Sequence, residues 1–169
     1  MTSTSDCDER ESLRDVSVER MYPADLDVVL AIERACFPSA WTRESYLVEL
    51  GNPSSWYIVA RHGREVIGYG GMWVIADEAH ITTLAVHPAR RRRGLGSLLL
   101  SRLLGAAQAR GAARVTLEVR ESNQPAQSLY EKFGFESTGE LFRYYGDTDE
   151  NAVVMCKTLP PGRECGRDG

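Results

Sequence analysis

Leu84-Ala85-Val86-His87-Pro88-Ala89-Arg90-Arg91-Arg92-Arg93-Gly94-Leu95-Gly96-Ser97-Leu98-Leu99-Leu100 passes from an apolar, strand-like run through a basic turn into a leucine-rich helix. A helix that begins near Gly94 leaves its first amide hydrogens without partners inside the helix, and its dipole adds partial positive charge at that end. Gly94 and Gly96 lack a Cβ, so phosphates could come close to the main chain, while Arg91, Arg92 and Arg93 supply charge from the side. The segment therefore suits a pyrophosphate. It is not a nucleotide-triphosphatase loop, because no lysine precedes Ser97, and it is not a dinucleotide fingerprint, because Leu99 fills the place of the third glycine. On this segment alone, a solvated basic loop before an ordinary amphipathic helix remains an open reading.

Working outward, 169 residues with 43% hydrophobic content suit one domain around a single core. The formal charge of −4 argues against a general nucleic-acid binder, since the arginine cluster is local and the rest of the chain compensates it. Of the four cysteines, Cys7 and Cys165 fall in expected tails, and Cys36 and Cys156 sit among apolar neighbours. None has metal-ligand spacing, so neither a zinc site nor a disulfide framework is expected. No signal-peptide pattern opens the chain, and no apolar run reaches the roughly 18 to 20 residues that cross a bilayer. A cytoplasmic protein without a membrane or DNA partner is the expectation.

Residues 1–15 are polar and acidic and are expected to be disordered, followed by one domain over residues 16–159 and a polar tail over 160–169. Val16 to Met21 alternates like a strand. Pro23-Ala24-Asp25 opens a helix that carries Leu26, Val29, Leu30, Ile32 and Ala35 inward and stops before Pro38. Thr42 caps a second helix, with Tyr46, Leu47 and Leu50 facing the core until Gly51-Asn52-Pro53. Strands at Ser55 to Arg61, Glu65 to Ile75 and His80 to Val86 form an antiparallel meander. The helix from Gly94 to Arg110 presents Leu95, Leu98, Leu99, Leu103 and Leu104, and Gly111 ends it. Arg114 to Val119 is a crossover strand, Gln124 to Phe133 a short helix, and Phe135 to Tyr145 with Asn151 to Leu159 a final hairpin. The fold class is α/β with a mixed, mostly antiparallel sheet flanked by helices.

Arg91-x-x-Gly94-x-Gly96 at a strand-to-helix junction resembles the acetyl-CoA pyrophosphate loop of the GCN5-related N-acetyltransferases (GNAT). Leu117-Glu118-Val119-Arg120, then Asn123, then Ser128-Leu129-Tyr130-Glu131-Lys132-Phe133-Gly134-Phe135 resembles the second half of that fold, within its RimI-like branch. The resemblance implies a sheet splayed between the parallel strands His80 to Val86 and Arg114 to Val119, with acetyl-CoA as donor. It implies that Leu84, Ala85 and Val86 bond the pantetheine arm, that a main-chain amide there polarises the thioester carbonyl, and that Arg91, Arg92, Arg93, Gly94, Leu95, Gly96 and Ser97 hold the pyrophosphate. Asn123 would contact the donor from the opposite wall; as a residue before a helix it reads equally well as a cap. The branch's acceptor is the amino-terminal alanine of a ribosomal protein.

Acetyl transfer to an amine needs a base to leave the nitrogen neutral and an acid to protonate the departing thiolate. Glu118 lies between apolar strand residues and, given the resemblance, is the candidate base; the residues alone favour a place facing solvent beside Thr116 and Arg120. Tyr130 is the candidate acid, with aromatic packing as its alternative. A phenol near pKa 10 donating to a thiolate near 8.5 runs uphill by about 2 kcal/mol, so the site must assist. Neutralising a lysine at pH 7 costs about 3 kcal/mol more than neutralising an α-amine, which favours an amino terminus for a modest carboxylate base. Tyr144 and Tyr145 could wall a peptide slot or serve as ordinary strand aromatics; Gly146 stands where the branch usually has proline. Glu33, Phe37 and Trp41 resemble the branch's acceptor-side helix and loop. A protein N-terminal acetyltransferase is the primary expectation, with a lysine or small-amine acetyltransferase and a non-catalytic acyl-CoA module as alternatives.

Overall fold

Four antiparallel strands in sequence, β1 (Val16–Arg20), β2 (Ser55–His62), β3 (Glu65–Ile75) and β4 (Glu78–Val86), make up the first half of the sheet in the computed structural model, which describes residues 13–161. Helices α1 (Leu26–Cys36) and α2 (Arg43–Leu50) come between β1 and β2. After β4, a short turn leads into α3 (Leu95–Ala109), which crosses to β5 (Arg114–Arg120); α4 (Gln124–Lys132) and the hairpin β6 (Glu136–Tyr145) with β7 (Glu150–Thr158) follow. The spatial order is β1-β2-β3-β4-β5-β7-β6. Only β4 and β5 are parallel neighbours, so the mixed, mostly antiparallel α/β architecture expected of the GNAT fold is present.

Each sheet face has its own core. Leu95, Leu99, Leu100, Leu103 and Ala107 of α3 are buried on one face, against Ile58, Ile67, Ile81 and Leu117. Leu26, Val29, Leu30 and Ile32 of α1 and Tyr46 of α2 fill the other, against Tyr57, Val59 and Tyr69. The expected faces need correction at four positions. In α3 the buried stripe follows the i, i+4 line 95-99-103-107 with Leu100 beside it, leaving Leu98 and Leu104 at its margins. In α1 Ala35 is exposed, and Glu33, four residues after Val29, takes the inward place. Leu47 is 44% exposed, because the eight-residue α2 turns only Tyr46 fully inward.

At the start of the described region, Leu13 packs against the core, and Val16 donates its amide to the Leu13 carbonyl, so packing begins before Val16. The remaining expectations for residues 1–12 and 162–169 lie outside the described residues. Gly71 of β3 has Tyr57 across it so closely that a Cβ would fall 2.1 Å from Tyr57 Cε1. Beside it the register shifts: Gly71 faces Thr83 and Met72 faces Ile81, leaving Thr82 as the extra residue of a bulge, with its hydroxyl 2.7 Å from the Tyr57 phenol.

Candidate active site

The parallel pairing of β4 with β5 runs through Glu78 with Arg114, Ala79 with Val115 and His80 with Thr116, and then stops. Beyond it the strands part around a cavity of about 570 Å³. Ile81 to Leu84 line one wall and Leu117 to Arg120 the other; Ser122, Asn123, Ala126 and Tyr130 close the α4 side. Glu33, Cys36, Phe37, Pro38 and Trp41, with Tyr145 and Glu150, form the remainder. The splay expected from the resemblance is thus present, and it gathers residues distant in sequence.

Glu118 is half-buried, with its side chain 23% exposed, and Oε2 lies 2.6 Å from His80 Nε2. It lines the cavity instead of facing open solvent. His80 was not singled out from sequence; its signal is positional, since a parallel register that sets His80 beside Thr116 brings it next to Glu118. Tyr130 reaches the cavity from α4 with 8% exposure, its ring 5.7 Å from that of Phe135. Packing and cavity lining coexist in this side chain. Burial, with the nearby Tyr145, pushes its phenol above the ordinary value, so it remains a proton carrier well into the alkaline range.

Gly94 caps α3 in the left-handed region at φ +79°, and the Leu98 amide donates to its carbonyl. Gly96 lets α3 approach α4, since a Cβ there would sit 3.3 Å from Leu129 Cδ2. The arginines divide. Arg91 turns toward the cleft, Nε donating to the Val86 carbonyl at 3.4 Å and its terminal nitrogen to Cys36 Sγ at 3.2 Å. Arg93 lines a separate cavity of about 210 Å³ with Asp15, His62 and Arg90, and Arg92 has a left-handed backbone at φ +63°. Asn123 caps α4, Oδ1 accepting from the Ala126 amide at 3.2 Å, while still bordering the main cavity. A helix N-terminus, two glycines and a strand edge without a partner together fit a phosphate-bearing donor.

At the base of the Phe37–Trp41 loop, Glu33 is 2% exposed and its oxygens are already engaged. Oε1 accepts from the Trp41 amide at 3.3 Å, and Oε2 accepts from the Tyr46 phenol at 2.8 Å and from the Tyr69 phenol. These bonds pin the loop that carries Phe37, Pro38 and Trp41. Tyr145 borders the cavity, whereas Tyr144 is half exposed outside the lining, the two rings meeting edge to face at 5.1 Å. Burial pushes the Tyr145 phenol up to about 12. Arg120, also missed from sequence, lies 4.1 Å over the Tyr145 ring and bonds Asp147 at 2.8 Å, with Glu150 at 3.5 Å. Ser122, through its side chain first and its amide 2.7 Å from Glu150 Oε1 second, holds the Glu150 carboxyl below the usual range.

The sequence profile described as the Acetyltransferase (GNAT) family matches residues 26–135, a span that includes the fork, Glu118 and Tyr130. A Bacillus subtilis (strain 168) protein, named provisionally as a ribosomal protein bS18-alanine N-acetyltransferase, is 39% identical over 144 residues, covering 85% of this chain and 95% of that protein. The Escherichia coli (strain K12) protein named ribosomal protein bS18-alanine N-acetyltransferase is 30% identical over 141 residues, 82% of this chain and 95% of that one. The crystal structure of the ribosomal-protein-S18-alanine N-acetyltransferase from E. coli superposes with a TM-score of 0.78 at 28% identity, covering 91% of this chain and 98% of that structure. Among the described residues, no helix is long and apolar enough to cross a membrane. Forked sheet, glycine-capped helix and sequence likeness agree: the chain belongs to the GNAT acetyltransferase family and is an acyltransferase.

Proposed function

We propose that this protein transfers the acetyl group of acetyl-CoA to the α-amine of a protein amino terminus, with the alanine that begins a ribosomal protein as its acceptor, by direct attack and without a covalent enzyme intermediate. The observation that carries this reading is the single cavity that brings Glu118 and Tyr130 together at the fork and extends between the Phe37–Trp41 loop and Tyr145. Acetyl-CoA, the donor used by the family, supplies an acyl carbon bonded to a good leaving group.

The chain's own residues do the rest. Leu84, Ala85 and Val86 lie on the unpaired part of β4, where main-chain groups can bond an extended arm and orient the carbonyl. Gly94, Leu95, Gly96 and Ser97 present the first amides of α3 to phosphate, and Arg91 to Arg93 add local charge. Glu118 takes a proton from the acceptor ammonium and the freed nitrogen lone pair bonds the acyl carbon; the carbon–sulfur bond then breaks with its electron pair leaving on sulfur, Tyr130 gives its proton to that sulfur, and the phenolate so formed accepts the second proton of the acylated nitrogen, leaving a neutral amide. Tyr130's burial keeps that proton in place until charge develops on sulfur. Phe37, Trp41 and Tyr145 form the acceptor walls; Glu33 supports them from beneath through Trp41, and Tyr144 packs on Tyr145 from outside.

Mass spectrometry after incubation with acetyl-CoA tests the proposal on an alanine-starting peptide, the same peptide with a blocked amino terminus, and a panel of lysine and small amines. Acetylation of the free amino terminus is expected; product only from the panel overturns the acceptor assignment.

A further inference from the structure

His80 stands in the crotch of the fork. It is the last residue of β4 to pair with β5, its partner being Thr116, and it pairs on the other side with Trp73 of β3. Its ring lies 5.1 Å from that of Trp73 at an interplanar angle of 34°, which fixes the imidazole plane. Glu118 lies two residues beyond Thr116, just past the first missing pair, which would join Ile81 to Leu117. The 2.6 Å contact of His80 Nε2 with Glu118 Oε2 therefore spans the opening by side chains.

Proton placement follows from the partners. His80 Nδ1 is buried and has no hydrogen-bond partner among the described residues. A proton on Nδ1 would bury an unpaired N–H, whereas the tautomer with its proton on Nε2 donates to the carboxylate and leaves only an acceptor unpaired. An imidazole in that state cannot take a proton at Nε2, and a buried Nδ1 offers no exit for one. His80 is also absent from the cavity lining, while Glu118 is part of it. A proton relay is thereby disfavoured and a holding role favoured.

We propose that His80 is a positioning residue for acetyl transfer: the Nε2–H fixes Oε2 of Glu118, so that Oε1 is presented to the acceptor amine. This rests on the assignment of Glu118 as base. Without the donor, the carboxylate swings on a side chain held only at its backbone, and occupancy of the reactive pose falls.

Steady-state kinetics on the alanine-starting peptide, with the full-length chain, test the proposal. His80→Phe keeps a ring against Trp73 and removes the donor; kcat is expected to fall about 10- to 100-fold, the range for a misplaced catalytic group, with KM for acetyl-CoA unchanged. His80→Gln restores an N–H of similar reach and is expected to recover most of kcat. In a Glu118→Gln background, His80→Phe should cause no further loss, since two residues acting through one function are not additive. Wild-type kcat in His80→Phe, or a loss that multiplies with that of Glu118→Gln, overturns the proposal. Long-range proton–nitrogen NMR of the folded wild type reads the pair without turnover: the His80 signals, identified by their absence in His80→Gln, should report the Nε2–H tautomer and change in Glu118→Gln. Identical mixed-tautomer signals in both proteins refute the holding role even if no peptide is acetylated, whereas an inactive wild type with the pair intact counts against the acceptor reading alone.

Discussion

Ser39 and Asp147, 108 residues apart in the chain, join the Phe37–Trp41 loop to the turn between β6 and β7, Ser39 Oγ donating to Asp147 Oδ2 at 3.1 Å. Asp147 is held in turn by Arg120, which lies two residues beyond Glu118 on the same strand. The loop bearing Phe37 and Trp41 is thus tied to the hairpin bearing Tyr145 through one carboxylate. Asp147→Ala should raise KM for peptide about two- to fivefold, the modest effect of an exposed tie, and leave KM for acetyl-CoA unchanged. The Arg120 guanidinium, bonded to the Asp147 carboxyl, holds it below the ordinary carboxylate range, so the tie is complete above that range and is lost as pH falls through the lower folded value. Peptide KM measured at several acidic pH values checks this.

Glu118→Gln preserves shape and removes the carboxylate proposed as base. A positioned base typically contributes about 10²- to 10⁴-fold, and a loss of kcat in that range is expected. Coenzyme A affinity by calorimetry should stay unchanged, because the loop at the start of α3 and the β4 edge are untouched.

Tyr130→Phe deletes a hydroxyl from a side chain that otherwise packs on Phe135. A fall in kcat of about 10²-fold is expected if its proton reaches the sulfur, with thermal stability nearly unchanged. Thiol release and peptide acetylation, measured in parallel, should fall together.

Above pH 10 the protein should lose stability steeply. Burial is the first cause holding the phenols of Tyr46, Tyr57, Tyr69 and Tyr130 above 10, and it brings Tyr145 to about 12. The unfolded chain releases these protons near 10 while the folded chain retains them, so stability is fully present below pH 10 and declines as pH rises. Melting temperature between pH 8 and 11, with tyrosinate absorbance appearing only on unfolding, tests the sign.

Gly71→Ala places a methyl on the Tyr57 ring and must displace it, together with its bond to Thr82. A loss of about 1 to 3 kcal/mol is expected from overpacking. Denaturant unfolding should show it, and Gly105→Ala, where a Cβ meets open space, serves as the comparison in the same assay.

Local signals in the sequence marked most of this architecture. The period-two strands, the capping Thr42 and the Gly94 turn name their own elements, and Arg91-x-x-Gly94-x-Gly96 marks the loop at the start of α3. What stayed hidden depends on register between distant strands. Nothing near His80 in the chain announces Glu118, and the link from Ser39 through Asp147 to Arg120 joins three segments that only the fold brings together. The division of the arginines, with Arg91 bonded to Val86 and Cys36 and Arg93 lining the separate cavity, is likewise invisible in a run of four like residues, and Arg92 between them has a left-handed backbone. For Glu33 the sequence offers only a likeness to the branch's acceptor-side helix and loop; that its helical position turns it inward to two phenols and an amide emerges only from the packing.

Leu84 and Val86 pack their side chains on the core while the main chain that carries them borders the open side of the fork. A ligand arm lying along that border would take the place of an absent strand, recognised through peptide groups that every residue type shares. Substitutions among branched aliphatics at these two positions would then register as changes in melting temperature and scarcely as changes in donor affinity. Selection for a tighter interior and selection for a serviceable slot can proceed there independently, on opposite sides of the same few residues.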